Sequence, residues 1–229
     1  MKIDILTLFP EFFHPIFTQS ILRRAIDANL LEIEIHDLKS YADGTHHLVD
    51  DYLYGGGAGM LLKPEPFFKC MTAVLTNAPR RPMVIAPSPQ GKLFHQEDAD
   101  ELSSEKHLVF LCGHYKGIDR RVTERFVNRE YSLGDYIVTG GEVAACVMID
   151  AAVRLIPGVI GDLDSAYSDS FRGDKLDCFH YTRPEELDGM RVPEVLLSGH
   201  HNNIESWRDS VASALAKERR PDLMKKLKG

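Results

Sequence analysis

Residues 108–126 read LVFLCGHYKGIDRRVTERF, and three local patterns follow one another within them. The unbroken apolar run 108–112 is typical of a strand that is buried on both faces of a sheet. Gly113 and Gly117 then interrupt the pattern, and apolar residues recur at helical spacing over residues 118–126. A buried strand that leads through a loop into a helix is the repeating unit of parallel sheets, so these residues predict an α/β fold.

The same alternation extends from this unit across the first 160 residues. Strands are predicted at residues 2–9, 31–35, 83–86, 108–112 and 136–138. Helices are predicted at residues 12–28, 67–75, 95–102, 118–126 and 142–156. We therefore expect residues 1–160 to form one α/β domain, in which a mostly parallel sheet is covered by helices.

Beyond this region the apolar periodicity lapses. Residues 161–174 are rich in Gly, Ser and Asp and predict a flexible linker. Residues 175–229 predict a small all-helical C-terminal domain, with helices at 184–190 and 202–216. Its end, residues 217–228, is basic although the whole chain has a net charge of −7. A local basic patch of this kind is suited to binding one defined RNA. Alternatively, these residues form a helical tail that is exposed to solvent.

Composition argues against several classes of protein. No run of 18 apolar residues is present, so we expect no membrane span. The N-terminus lacks the features of a secretory signal. The four cysteines form no C-x-x-C pair, which indicates the reduced thiols of a cytoplasmic protein and argues against zinc or disulfides.

Three unusual loops follow predicted strands. They are loop A (residues 86–91), loop B (residues 112–119) and loop C (residues 133–142). Each alone could be an ordinary tight turn. Because ligands of open parallel sheets bind outside the carboxyl ends of the strands, three such loops at one edge favour a binding site.

The loops also limit the class of ligand. The chain has no G-x-G-x-x-G after its first strand and no G-x-x-x-x-G-K-[ST], so it lacks the usual phosphate cradles. Backbone polar groups and apolar contacts suit a nucleoside with a sulfonium tail better. A fourth feature is the set of four glycines within residues 55–59, which is either a loop without a role or a place where a base or a partner chain approaches.

Together these motifs resemble those of bacterial tRNA (guanine-N1)-methyltransferases, of the SPOUT (trefoil-knot) superfamily. The matching segments are VDD at 49–51, YGGG at 54–57, SPQG at 88–91, CG at 112–113, GID at 117–119, GDY at 134–136, GGE at 140–142, Arg154 with IPG at 156–158, DSF at 169–171, YTRP at 181–184, VLLSGH at 195–200 and RRP at 219–221. The resemblance implies a trefoil knot at the C-terminal end of the α/β domain and a homodimer whose active site is shared between subunits. It further implies methyl transfer from S-adenosylmethionine to N1 of the guanine immediately 3′ of the anticodon.

The resemblance also implies roles for particular residues. Asp169 matches the general base, and Arg154 matches the cation that stabilises charge on guanine O6. The residues that match the cofactor site are Pro87, Ser88, Pro89, Gln90, Gly91, Gly113, Tyr115, Leu133, Gly134, Asp135, Tyr136, Ile137, Val138, Gly140 and Gly141. Those that match contacts to the tRNA anticodon stem-loop are Gly59, Asp177, Tyr181, Arg183, Arg208, Arg219 and Arg220.

The chain departs from the family pattern at a few positions. Lys116 stands where the family usually has a glutamate, which puts a Mg²⁺ requirement in doubt.

Two other classes of protein stay open from the residues alone. A nonenzymatic RNA-binding protein would need no cofactor loops, and a nucleotide-dependent oxidoreductase would need a phosphate cradle. Binding of S-adenosylmethionine separates these alternatives.

Overall fold

The computed structural model describes residues 1–45, 47–161, 169–171 and 176–223. The chain divides into two compact units, Met1–Gly161 and Asp162–Gly229. The strands of the first unit are β1 (Lys2–Thr7), β2 (Glu32–Asp37), β3 (Asp50–Tyr52), β4 (Met60–Leu62), β5 (Met83–Leu93), β6 (His107–Leu111) and β7 (Arg129–Ser132). Its α-helices are α1 (His14–Phe17), α2 (Ser20–Asp27), α3 (Pro64–Asn77), α4 (Gln96–Ser104), α5 (Arg120–Phe126) and α6 (Gly141–Val153), and short 3-10 helices span Pro10–Phe12 and Leu38–Tyr41.

Five strands form one parallel sheet in the order β2-β1-β6-β5-β7. Alternate residues of β1 face opposite sides, so Ile3 and Ile5 join one apolar core while Leu6 joins the other. Helix α6 packs in the first core and α3 in the second. The predicted α/β fold with a parallel sheet between helices is confirmed.

The helix predicted at residues 12–28 is instead broken into three pieces. A 3-10 turn at Pro10–Phe12 and α1 precede α2. Thr18 and Gln19 leave the helical region of φ and ψ, and Ser20 begins α2 at a φ of 54°. A right-handed helix cannot continue through such a residue, although the apolar side chains keep helical spacing across the break.

The strand predicted at residues 136–138 was also wrong. The strand of this region is β7, which pairs with β5 at the end of the sheet. Only Tyr131 of β7 is buried, because an edge position leaves Arg129 and Glu130 accessible. The β-branched and aromatic residues 136–138 lie in an exposed loop instead.

Loop A lies within a strand. Strand β5 continues through residues 86–91, with a shift of register between Pro87 and Lys92 along β7. Proline is tolerated at such irregularities because no regular ladder bond is required of its nitrogen there.

In the second unit, α7 (Glu194–Leu197) and α8 (His201–Arg219) accompany a hairpin of β8 (Glu186–Leu187) and β9 (Met190–Arg191). The helix predicted at residues 184–190, and with it the all-helical domain, was wrong. Asp188 and Gly189 both have positive φ, of 51° and 77°, as a tight hairpin turn requires. Most of the predicted linker at 161–174 lies outside the described residues. Within the described part of the chain, no helix is long and apolar enough to cross a membrane.

Candidate active site at the carboxyl edge of the sheet

Loops B and C are joined by their backbones. The Gly141 N–H donates to the Gly113 carbonyl over 2.8 Å, and His114 forms a β-bridge with Gly140. A Cβ on Gly141 would lie 2.9 Å from both Cys112 Cα and Gly113 N. Glycine is therefore needed at 141 because two protein segments meet there, a reason the sequence did not indicate.

Loop A packs on the strand that leads into loop C. A Cβ on Gly91 would lie only 2.4 Å from the carbonyl carbon of Glu130 in β7. Since β7 ends at Ser132, loop C begins directly after this contact. The structure thus brings the three loops that carry the predicted cofactor residues to one edge of the sheet.

Loop C presents apolar side chains to solvent. Tyr136, Ile137 and Val138 are 59%, 79% and 40% exposed. The Tyr136 ring lies over Gly134, where a Cβ would approach within 2.7 Å of the ring. A contiguous exposed apolar segment is typical of a surface that a ligand covers.

Beneath these loops lies a buried polar group that sequence analysis did not single out. The Thr7 hydroxyl donates to Glu142 Oε1 over 2.7 Å, and both residues are buried. Thr7 Oγ1 in turn accepts a bond of 3.0 Å from the Phe9 N–H. This chain of bonds ties the end of β1 to the start of α6.

His114 adds an unsatisfied atom to this group. Among the residues that the structure describes, the Nδ1 atom of His114 is buried and has no hydrogen-bond partner. The ring packs against Phe9 and Tyr115, with centroids 4.9 and 4.6 Å away. A Cβ on Gly140 would lie 2.8 Å from Nδ1 and 2.2 Å from Glu142 Oε2, so the imidazole and the carboxylate lie near each other. A buried orphan of this kind indicates a place for a water molecule or a ligand group.

The two predicted catalytic residues belong to different units. Arg154 follows α6 directly, and its N–H donates to the Asp150 carbonyl over 3.1 Å. Arg154 lines an open depression of about 520 Å³ together with Cys146, Val147 and Ala151. Asp169 is half-buried and lies in the second unit.

In the second unit, Asp177 is held by local bonds. Its Oδ1 accepts from the Cys178 N–H and its Oδ2 contacts His180 Nε2, both over 2.7 Å. Partial burial raises the pKa of Asp177, but the bonds from His180 and the Cys178 N–H lower it further, so the carboxyl pKa lies below its usual range.

Several of the predicted RNA-binding residues meet around one pocket. A cavity of about 490 Å³ is lined by Tyr181, Arg183 and Arg208 together with apolar residues of α7 and α8. Arg219 lies over the Phe179 ring at 6.0 Å, and Arg220 lies over Phe171 at 5.4 Å. The Tyr181 and Trp207 ring centroids are 6.4 Å apart. This unit therefore combines aromatic faces with cations.

Two groups of side chains in the described residues have the spacing of metal ligands. They are Asp177 with Cys178 and His180, and Asp4 with Glu34 and His36. Neither includes a residue of loops A, B or C. In loop B, the exposed Lys116 side chain lies against Gly59, where a Cβ would be 3.0 Å from Lys116 Cγ.

Comparison with known proteins gives a match over almost the whole chain. The sequence model of the family described as tRNA (Guanine-1)-methyltransferase TrmD matches residues 1–226. A tRNA (guanine-N(1)-)-methyltransferase of Listeria welshimeri is 51% identical over 226 residues, which cover 98% of this chain and 92% of the relative. Proteins of the same name from Listeria monocytogenes and Dehalococcoides mccartyi are each 50% identical to this chain, over 226 and 227 residues respectively. In both cases the alignment covers 92% of the relative. For these two, the alignments cover 98% and 99% of this chain.

Proposed function

The chain belongs to the tRNA (guanine-1)-methyltransferase family, and we propose that it transfers a methyl group from S-adenosylmethionine to N1 of the guanine immediately 3′ of the anticodon. The observation that carries this proposal is the family match over residues 1–226, because it spans the three loops and the pocket of the second unit together. tRNA is a cytoplasmic substrate, so the cytoplasm is the proposed place of action.

Loops B and C are proposed to form the trefoil knot. The backbone bond between Gly141 and Gly113 and the tight contact of Gly141 with Cys112 support this assignment, because they require the two segments to pass closely. A homodimer is proposed to form beside the knot. On α6, Val143 and Val147 are 41% and 47% exposed although most of the helix is buried, so this face is suited to a second subunit.

The residues of the three loops fit S-adenosylmethionine. The exposed apolar segment 136–138 suits the face of a nucleoside, and the unpartnered Nδ1 of His114 offers a polar contact beside it. When bound, the cofactor supplies an electrophilic methyl group on a sulfonium. The predicted cofactor residues from Pro87 to Gly91 and from Gly113 to Gly141 would hold and orient it.

The proposed chemistry uses one carboxylate and one guanidinium. Guanine N1 is a poor nucleophile while it carries its proton, so Asp169 is proposed to accept that proton. Negative charge then collects on O6, where Arg154 is proposed to stabilise it. Because a carboxylate is a weak base, the guanidinium has to make the N1 proton more acidic. We assign Arg154 to one subunit and Asp169 to the partner subunit.

The second unit is proposed to bind the anticodon stem-loop. Tyr181, Arg183 and Arg208 around the pocket offer stacking and phosphate contacts, and Asp177, Arg219 and Arg220 extend this surface. The target base has to leave its stack to reach the methyl group, and the loop that ends at Gly59 would leave room for it.

The test is methylation of an anticodon stem-loop with purified protein and labelled S-adenosylmethionine. We expect N1-methylguanosine at the position 3′ of the anticodon, identified after nuclease digestion. A stem-loop with adenosine at that position is the matched control and should take up no label there. Binding of the RNA without any transfer, by protein that does not bind the cofactor, would contradict the proposal and favour a nonenzymatic RNA-binding protein.

A further inference from the structure

Two tyrosines on the small β3–β4 hairpin are left in solvent. Tyr54 is 100% exposed and Tyr52 is 81% exposed. The Gly56 N–H donates to the Leu53 carbonyl over 3.2 Å, and Gly55 has a φ of 82°, which describes a tight turn with Tyr54 at its corner. The turn therefore directs a large aromatic ring away from the protein, where it buries nothing.

The hairpin has a fixed attachment to loop B. The Lys116 N–H donates to the Met60 carbonyl over 3.0 Å, and the Asp119 N–H donates to the Leu62 carbonyl over 3.1 Å. The Leu62 N–H donates in turn to the Gly117 carbonyl over 3.1 Å, and the Leu62 side chain is buried. Since β4 is bonded to loop B through both Met60 and Leu62, the hairpin with its tyrosines is attached to a loop of the proposed cofactor site.

Cationic side chains lie near this hairpin. The side chain of Lys116, in loop B, lies against Gly59 of the hairpin. Arg121 lies in α5 directly after loop B, and its guanidinium is held in place by two bonds to Asp119, of 2.9 and 2.8 Å. Exposed aromatic faces beside cations are the usual composition of surfaces that bind single-stranded nucleic acid.

We propose that Tyr52 and Tyr54 form a stacking site for unpaired nucleobases of the RNA substrate next to the target guanine. This inference rests on the proposed function, and it adds a contact made by the first unit to those of the second. An unpaired base fits better than a protein partner because an isolated pair of rings beside cations offers stacking faces but no apolar groove.

The test compares Tyr54→Leu with Tyr54→Phe and Tyr54→Trp. Leucine keeps apolar volume but has no ring, whereas phenylalanine and tryptophan keep the stacking face. The probe is an anticodon stem-loop with 2-aminopurine at either loop position that flanks the target guanine. Stacking quenches this fluorophore, so Tyr54→Leu should lose the quenching and bind RNA about 10-fold more weakly. The aromatic variants should behave like wild type, and all should bind S-adenosylmethionine equally.

Distinct outcomes separate failure of the site from failure of the function. If wild type methylates the stem-loop and Tyr54→Leu shows unchanged quenching and affinity, the stacking site is wrong while the proposed function stands. If Tyr54→Leu changes the oligomeric mass of the protein, the ring contacts a second copy of the chain, and the stacking site is also wrong. Wild type that neither binds nor methylates the RNA would overturn both.

Discussion

Asp4 is almost fully buried in the middle of β1, and two imidazoles hold its carboxylate. His36 Nε2 lies 2.5 Å from Oδ1, and His107 Nε2 lies 2.6 Å from Oδ2. Burial raises the pKa of Asp4, but the bonds from His36 and His107, with help from the Lys2 charge, outweigh it and lower the pKa below its usual value. A lowered pKa means that the native state favours the ionised carboxylate and is stabilised by it.

This residue gives a prediction on pH. The stabilisation should be fully present above the ordinary aspartate pKa of about 3.9 and be lost as pH falls through the lower native pKa. Asp4→Asn should therefore reduce the free energy of unfolding by about 3 kcal/mol near pH 5. The difference from wild type should shrink toward acid, as urea unfolding at several pH values would measure. Asp27→Asn, in an exposed pair with Arg23, is the control and should change little. A difference that stays constant with pH would contradict this assignment.

Lys116 carries a prediction on metal dependence. An ammonium cannot ligate Mg²⁺ and repels it, yet it supplies one positive charge in the space over Gly59. We expect wild type to depend weakly on Mg²⁺ in the chemical step and Lys116→Glu to depend on it strongly. Single-turnover methylation of a prefolded stem-loop across Mg²⁺ concentrations measures this without counting metal that folds RNA. A steep requirement in wild type that the substitution leaves unaltered would show that Lys116 does not replace the ion.

At the scale of elements, the contact between loops B and C makes the sharpest prediction. Gly141→Ala would place a methyl group 2.9 Å from backbone atoms of Cys112 and Gly113, which cannot move aside as a flexible side chain can. We expect a loss of about 1–3 kcal/mol in the free energy of unfolding and weaker binding of S-adenosylmethionine. Gly161→Ala is the matched control, since nothing lies within 4 Å of the added methyl group. Urea unfolding and calorimetry would measure both effects, and a Gly141→Ala protein indistinguishable from the control would refute the role of the contact.

How far the elements could be predicted depended on burial. Strands β1 and β6 are buried on both faces. Strand β6 has a continuous apolar run and β1 has apolar residues on either side of Asp4, so their positions followed from the sequence. Strand β7 was missed because an edge strand with one buried residue has no such run. The hairpin turn at Asp188 and Gly189 did carry a local signal, the Asp-Gly pair, which helical spacing of nearby apolar residues concealed.

The candidate site could be predicted only in part, because some of its contacts join residues that are far apart in the sequence. Glycines and prolines marked the three loops because their backbone needs are local. The bond from Thr7 to Glu142 joins residues 135 positions apart, and the unpartnered Nδ1 of His114 depends on packing against Phe9. No local sequence pattern shows such partners, so these residues could be identified only from the structure.

At the scale of the whole molecule, the proposed catalytic pair raises the question of how many chains make one site. Arg154 directly follows helix α6 of the first unit, and Asp169 belongs to the second unit. If both act from one chain, a homodimer has two independent sites. If Arg154 acts with Asp169 of the partner subunit, neither chain holds a complete site alone. Single substitutions cannot separate these cases, because each would inactivate the homodimer either way.

Mixed dimers do separate them. Arg154→Ala and Asp169→Ala chains that are refolded together should pair at random, so roughly half of the dimers contain one of each. With a shared site, each mixed dimer has one site with both residues intact and one with neither. Activity should then return to roughly a quarter of wild type, whereas each variant alone stays inactive. With both residues acting from the same chain, every site of a mixed dimer lacks one of them. A mixed dimer isolated through two different affinity tags and still inactive would therefore assign both residues to one chain.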